Sequence, residues 1–246
     1  MQNATALDFF AGSGLVTLGL KEFFKMLWAN DICENKAAVY EANFGRSHLH
    51  RMSIEDVNGR DIPPADLNWA SFPCQDLSLA GNMEGMVKGT RSGLFWQWLR
   101  VLDEMERKPS VLCLENVIGF LVAHDGAHFR NAYKALKERG YLAGAFVLDA
   151  VHFIPQSRPR SFLVAVREGV PLNDVSDPLG SEEYCSSGVM TAYQAVDDPD
   201  WIWWKFPFLP KRTVTLLDLV ERDVPCDTLL KLSANCQCSR PLTSRN

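Results

Sequence analysis

The stretch "SFPCQDLS", residues 71–78, sets a proline and a cysteine together at the end of an apolar run, before polar residues that cannot continue a strand. A thiol in that setting is either a small core residue or a nucleophile whose direction is fixed by the rigid ring before it. Further on, "SVLCLEN" runs through four apolar residues into Glu115. A carboxylate there is costly to bury unpaired, so it serves as an acid–base group, a cap or half of a salt bridge. "HFIPQSRPR" places Gln156, Arg158 and Arg160 at alternate positions. An extended chain would aim all three to one side, as a binding surface or as a solvated edge strand. In "DFFAGSG", Gly12 and Gly14 permit a tight turn, and the helix that follows offers its first amides to a nucleotide-like ligand. Thr17 stands where a full dinucleotide fingerprint has its third glycine, which disfavours NAD. In "AND", Asp31 is placed to accept hydrogen bonds from a ribose or to cap the next helix.

These residues matter only if the elements around them converge. "ALDFF", "MLWAN", "LNWASF" and "SVLCLEN" read as short apolar strands. "GSGLVTLGLKEFF" reads as a turn opening a helix, and "ENKAAVYEANF" as a second helix. In "LFWQWLRVLDEMER", Leu94, Trp98, Leu102 and Met105 recur at helical spacing, and Phe129, Tyr133 and Leu136 mark another helix. "AFVLDAV" and "SFLVAV" have no long helical pattern between them and are expected to pair as an antiparallel ribbon at a sheet edge. The alternation predicts an α/β fold with an open, mostly parallel sheet and helices on both faces. Right-handed crossovers then gather the strand ends, and the residues above with them, along one rim, where such sheets bind ligands.

Beyond Arg167 the chain reads as loop, an aromatic cluster "WIWWKFPFLP", one short helix in "VTLLDLVERDV", and a polar tail. Those residues are too sparse for a second core of their own. The chain has 246 residues, 47% hydrophobic and 22% charged, with a formal net charge of −5. That is a globular balance, and bulk charge does not advertise a nucleic-acid binder. Seven scattered cysteines fit reduced thiols in a cytoplasm better than a disulfide frame. "CQC" at residues 236–238 lacks the second ligand pair of a zinc site, so no metal is expected. There is neither a signal pattern nor an apolar run long enough to span a bilayer.

Taken in order, "DFFAGSG", "FPCQDLS", "RSGLFWQWLRVLDE", "LENV" and "IPQSRPR" resemble the DNA (cytosine-5) methyltransferase family of bacterial and phage modification systems, over residues 5–167. The resemblance implies a Rossmann-like sheet that binds S-adenosyl-L-methionine, and a catalytic domain over residues 1–170. It assigns Cys74 as the nucleophile, Glu115 as the group holding the base's ring nitrogen 3, and Arg160, supported by Arg158, as the contact to the exocyclic oxygen. Asp8, Phe10, Gly12, Gly14, Asp31, Ile54 and Pro73 would line the cofactor site, with Phe10 against adenine and Asp31 on the ribose hydroxyls. Ser53 stands where family members often carry an acidic residue. Gln75, Ser78, Lys88, Arg91 and Gln156 would face double-stranded DNA, the glycine-rich residues 76–93 forming a mobile loop over a flipped-out cytosine.

After the arginine segment the family carries a target-recognition domain and a closing Gly-Asn motif, and no such pair follows residue 167. Residues 171–246 therefore read as the incomplete start of target recognition, in a truncated member that a second polypeptide would complete. Two other readings stand beside methyl transfer to DNA: a remnant that binds cofactor or DNA without turnover, and an RNA-directed relative. On the truncated reading, several tryptophans of "WIWWKFP" are left partly exposed.

Overall fold

The computed structural model describes residues 4–73, 93–177 and 184–220. Cys74, Gln75, Ser78, Lys88 and Arg91 lie outside the described residues, as does nearly all of the expected loop at 76–93.

Among the described residues, seven strands form one sheet in the order β3-β2-β1-β4-β5-β7-β6. They are β1 (Ala4–Phe9), β2 (Phe24–Asn30), β3 (Leu49–His50), β4 (Leu67–Ala70), β5 (Val111–Asn116), β6 (Tyr141–Asp149) and β7 (Pro159–Arg167). The first five run parallel. β7 lies antiparallel between β5 and β6, so the expected edge ribbon forms, with β7 as its inner strand. The chain leaves β1 towards β2 on one side and meets β4 on the other, which opens a crevice beyond the carboxyl ends of β1 and β4.

Two short helices cover the face of β1 and β2 that carries Asp8: α1 (Leu15–Leu20) and α2 (Glu34–Phe44). α2 spans the segment read from the sequence, whereas α1 stops after six residues. β3 is too short to have been legible. On the opposite face lie α3 (Leu94–Glu104), α4 (Gly119–Val122), α5 (Ala127–Lys137) and α6 (Ser187–Val196). There Leu7 and Phe9 of β1 join Trp98, Leu102 and Met105 of the α3 segment and Phe129, Tyr133 and Leu136 of α5 in the main buried cluster. Those are residues whose helical spacing marked the two elements; Leu94, the first of the α3 stripe, is half-buried and packs against the cluster.

α6 was not anticipated. Ser186 caps it by accepting from the Val189 amide, and Val189, Ala192 and Val196 are buried in the same cluster. Trp201 is also buried there, while Trp203 and Trp204 stay half-buried. The indole N–H of Trp204 donates to the Gly144 carbonyl at 2.9 Å, and the Ile202 amide donates to the Ala143 carbonyl at 2.9 Å. Residues 201–204 thus lie directly on β6.

By contacts the chain divides into a larger unit, residues 1–149 and 158–208, and a smaller one, residues 150–157 and 209–246. The smaller unit contains the one-turn α7 (Leu216–Leu219), where the Asp218 carboxylate accepts from both the amide and the hydroxyl of Thr215. In the same unit Arg212 reaches the Ile154 carbonyl. No helix among the described residues is long and apolar enough to cross a membrane.

Candidate active site

The rim of the larger unit gathers two groups of side chains. The first surrounds the glycine turn after β1. Phe10, Gly12 and Gly14 all have positive φ, at 59°, 58° and 88°. Glycine adopts that region freely; phenylalanine does so at a cost of about 1–3 kcal/mol. Gly14 is required twice, because a Cβ there would sit 2.5 Å from the Phe44 ring of α2. The Asp31 carboxylate holds this turn from the end of β2: Oδ2 accepts the Gly12 amide at 2.9 Å and Oδ1 accepts the Cys33 amide at 2.7 Å. Asp31 is not the helix cap, because α2 begins at Glu34 with Cys33 as its N-cap residue; each carboxylate oxygen keeps a further lone pair for a ligand hydroxyl.

Asp8 is fully buried beneath α1, where Thr17 donates its hydroxyl to Oδ2 at 3.0 Å. The Thr17 oxygen lies 2.8 Å from the Tyr40 hydroxyl, which lies 2.9 Å from Nε2 of His48. With Asp8 ionised, the consistent direction of donation runs from His48 through Tyr40 and Thr17 to the carboxylate. Burial, partly offset by the Thr17 bonds, pushes the Asp8 carboxyl up to about 7, and burial likewise raises Tyr40 to about 12. Oδ1 of Asp8 has no hydrogen-bond partner among the described residues.

A folded-state value above the unfolded one means that the native state binds the extra proton. Asp8 then stabilises the fold least at high pH, its contribution falling as pH rises from 5 through 7. His48 and His128, whose burial lowers their values, work in the opposite sense below pH 6.5. The comparison with Asp8→Asn isolates the carboxyl: the stability of the native protein relative to this variant is expected to fall by up to about 3 kcal/mol between pH 5 and 8. Urea unfolding of both proteins at four pH values measures it. Parallel stability curves would refute the assignment.

Ile54 is buried in a 3-10 turn, Ile54–Asp56, and Ser53 caps that turn by accepting the Glu55 amide. What fixes this turn was not legible in the sequence. Arg100 of α3 reaches across to donate to the carbonyls of Ile54 and Val57 at 3.0 Å each. It also pairs with Glu104 at 2.7 Å, and Glu104 accepts the Gly59 amide at 2.8 Å. The signal was an Arg and a Glu four apart on the helix, which in isolation reads as a solvated pair.

The second group lies where β5 ends and β7 begins. Because the two strands are antiparallel, with Glu115 opposite Phe162 and Asn116 opposite Ser161, the last residues of one adjoin the first of the other. Arg160 Nε meets Glu115 Oε1 at 3.0 Å, both side chains about four-fifths covered. The guanidinium also donates to the Pro159 carbonyl at 2.8 Å. Asn116 ties this corner to the end of β4: Nδ2 donates to the Phe72 carbonyl at 3.1 Å, two residues before Cys74, while Oδ1 accepts the Val117 amide at 2.9 Å. Ser161 donates to the carbonyls of Asn116 and Val117. Pro73 is exposed at the same strand end.

Arg158 precedes β7 with its side chain exposed, its amide donating to Asp149 at 2.6 Å. Gln156 lies in a bend of the smaller unit. The strand expected to carry 156, 158 and 160 begins only at Pro159, so that of the three only Arg160 lies in β7.

A parallel sheet with one inserted antiparallel strand, a glycine turn after β1 and an acidic residue directly after β2 is the fold of S-adenosylmethionine-dependent methyltransferases. The Dnmt2 methyltransferase of S. pombe superposes with a TM-score of 0.58 at 23% identity, over 69% of this chain and 52% of that one. A Spodoptera frugiperda DNMT2 variant superposes with a TM-score of 0.57 at 24% identity, over 68% and 51%.

The model of the C-5 cytosine-specific DNA methylases matches residues 4–219, and the chain belongs to that family. It is 37% identical over 163 residues to the type II methyltransferase M.Bsp6I of Bacillus sp. (strain RFL6), across 64% of this chain and 50% of the relative. It is 35% identical over 181 residues to M.BsuFI of Bacillus subtilis, across 73% of this chain and 43% of the relative. The chain spans about half the length of the curated relatives it matches.

Proposed function

We propose that this chain transfers a methyl group from S-adenosyl-L-methionine to carbon 5 of cytosine in double-stranded DNA. The observation that carries the reading is the Glu115–Arg160 pair, joined through Asn116 to the backbone two residues before Cys74. A carboxyl and a guanidinium on rigid strand ends, tied to the strand end that leads in sequence to Cys74, suit a base that needs a nucleophile, a proton source and an oxygen contact together.

Cytosine carbon 5 is too weak a nucleophile to take a methyl group unaided. Attack of the Cys74 thiolate on carbon 6 forms a C–S bond and pushes the ring electrons towards nitrogen 3, where protonated Glu115 donates. Carbon 5 of the resulting enamine is then electron-rich. Arg160, with donors left beyond its bond to Glu115, holds the exocyclic oxygen, and Arg158 supports the same pocket. After methylation, loss of the carbon-5 proton to a base drives the C–S bond to break, which restores the thiolate and the aromatic ring, and the nitrogen-3 proton returns to the Glu115 carboxylate. The target nucleotide must leave the duplex first, at a cost of a few kcal/mol. Gln75, Ser78, Lys88, Arg91 and Gln156 are assigned to the DNA, where phosphate contacts would position the duplex.

The turn suits the donor. Its positive-φ glycines bring backbone amides to the rim, Asp31 keeps free lone pairs there, and the Phe10 ring is half-exposed beside it. Phe10, Gly12, Gly14, Asp31, Ile54 and Pro73 would hold it, with Asp8 buttressing the turn from below. When bound, S-adenosylmethionine supplies an electrophilic methyl group.

Tritiated donor incubated with cytosine-containing duplex DNA and, separately, with tRNA tests the reading. Label is expected in the duplex as 5-methylcytosine. Label in tRNA alone, or in neither, would overturn it.

A further inference from the structure

We infer that Asn30 is a positioning residue for the donor site, its side-chain amide setting the spacing between the Phe10 turn and the Met52–Ile54 segment. Asn30 ends β2 and is 1% exposed. It stands between β1 and β3, opposite Phe9 on one side and His50 on the other. Its Oδ1 accepts the Phe10 amide at 3.3 Å, and its Nδ2 donates to the Met52 carbonyl at 3.2 Å. Its backbone carbonyl accepts the Ala11 amide at 2.8 Å. One buried residue therefore grips both sides of the slot in which the adenosine half is proposed to lie, and Asp31, the ribose ligand, is its neighbour in sequence.

The strain at Phe10 gives this grip its purpose. A bulky residue at φ 59° holds its place only where its surroundings over-determine it. Here the two consecutive amides at the turn's entrance, of Phe10 and Ala11, both bond to Asn30. Residue chemistry at position 30 is equally constrained. It must accept from an amide and donate to a carbonyl at once, which a carboxamide does and a carboxylate cannot. Aspartate would keep the bond to Phe10 but set a second oxygen against the Met52 carbonyl, in a region that already contains Asp8 and Asp31. Alanine would leave both partner groups unpaired.

The inference rests on the donor-site reading above, and its test separates the two. Binding of S-adenosylhomocysteine to the full chain is measured by calorimetry for the native protein, Asn30→Ala and the near-isosteric Asn30→Asp, with circular dichroism confirming the fold of each. Both variants are expected to bind roughly 10- to 100-fold more weakly. Hydrogen exchange at the Phe10 amide should accelerate, and the KM for the methyl donor should rise while that for DNA does not. The Asp variant covers the case in which the Ala variant does not fold. Native protein that binds while a folded variant binds within twofold overturns the inference alone. Native protein that does not bind S-adenosylhomocysteine overturns the donor-site reading and the inference with it.

Discussion

Cys74→Ser is expected to abolish methyl transfer, with a loss of at least about 10³-fold, because the step it supports cannot be carried by a hydroxyl. A thiol with an ordinary value near ~8.5 is a few per cent ionised at neutral pH and intrinsically very nucleophilic, whereas a serine hydroxyl is almost wholly un-ionised. The variant should also fail to form a covalent complex with duplex DNA bearing a cytosine analogue that cannot release the enzyme. Glu115→Gln sharpens the comparison. It keeps the size and can still donate a hydrogen bond, but it cannot give up and recover a proton, and it lacks the charge that pairs with Arg160. Its expected loss is on the order of 10²- to 10⁴-fold, the usual range for general acid–base catalysis. Gel detection of the trapped complex and tritium transfer measure both variants. A Ser variant retaining more than a tenth of native turnover would remove Cys74 from the mechanism.

The largest expected loss of stability comes from Gly144→Ala. A Cβ at that position would stand 1.8 Å from the Ile202 carbonyl oxygen, a backbone atom that no rotamer change can move aside. Either β6 or residues 201–204 must shift, disturbing the Ile202–Ala143 and Trp204–Gly144 bonds that seat one on the other. The expected cost is about 3 kcal/mol or more, and roughly 6–12 °C in Tm for a chain of this size. Gly19→Ala is the natural control. It lies in α1 at an ordinary φ, with nothing within 4 Å of the added carbon. Its Tm should hold or rise slightly, since alanine favours helix and loses less entropy on folding. Equal melting temperatures for the two variants would show that the 201–204 segment does not pack on β6 in solution.

Much of this architecture was legible because its signals are local. The Leu94–Trp98–Leu102–Met105 stripe and the Phe129–Tyr133–Leu136 stripe each occupy one face of a helix, and all of their residues but the half-buried Leu94 are buried. The β6–β7 ribbon showed as two apolar runs lacking the helix that a parallel crossover needs. The Glu115–Arg160 meeting was less direct: motif order suggested it, but only the antiparallel register puts residue 160 beside residue 115. What stayed hidden depends on partners distant in sequence. Asn30 looked like half of a dipeptide dominated by Asp31, although its amide bonds span to residues 10 and 52. Arg100 gave no local signal of its role, because it grips carbonyls more than forty residues away. α6 follows a loop-like stretch and reveals its apolar face only against α4 and α5.

The direction of β7 carries a consequence of its own for which sequence changes this protein tolerates. Arg160 is aimed by counting residues along a ladder that pairs Val111 with Val166 at one end and Asn116 with Ser161 at the other. Point replacements along the ladder alter packing while leaving that count intact. Deleting or inserting one residue between the corner and the ladder would send the guanidinium to the opposite side of the sheet. Chains descended from this one should accordingly drift in side-chain identity across residues 161–167 while conserving the length of that run.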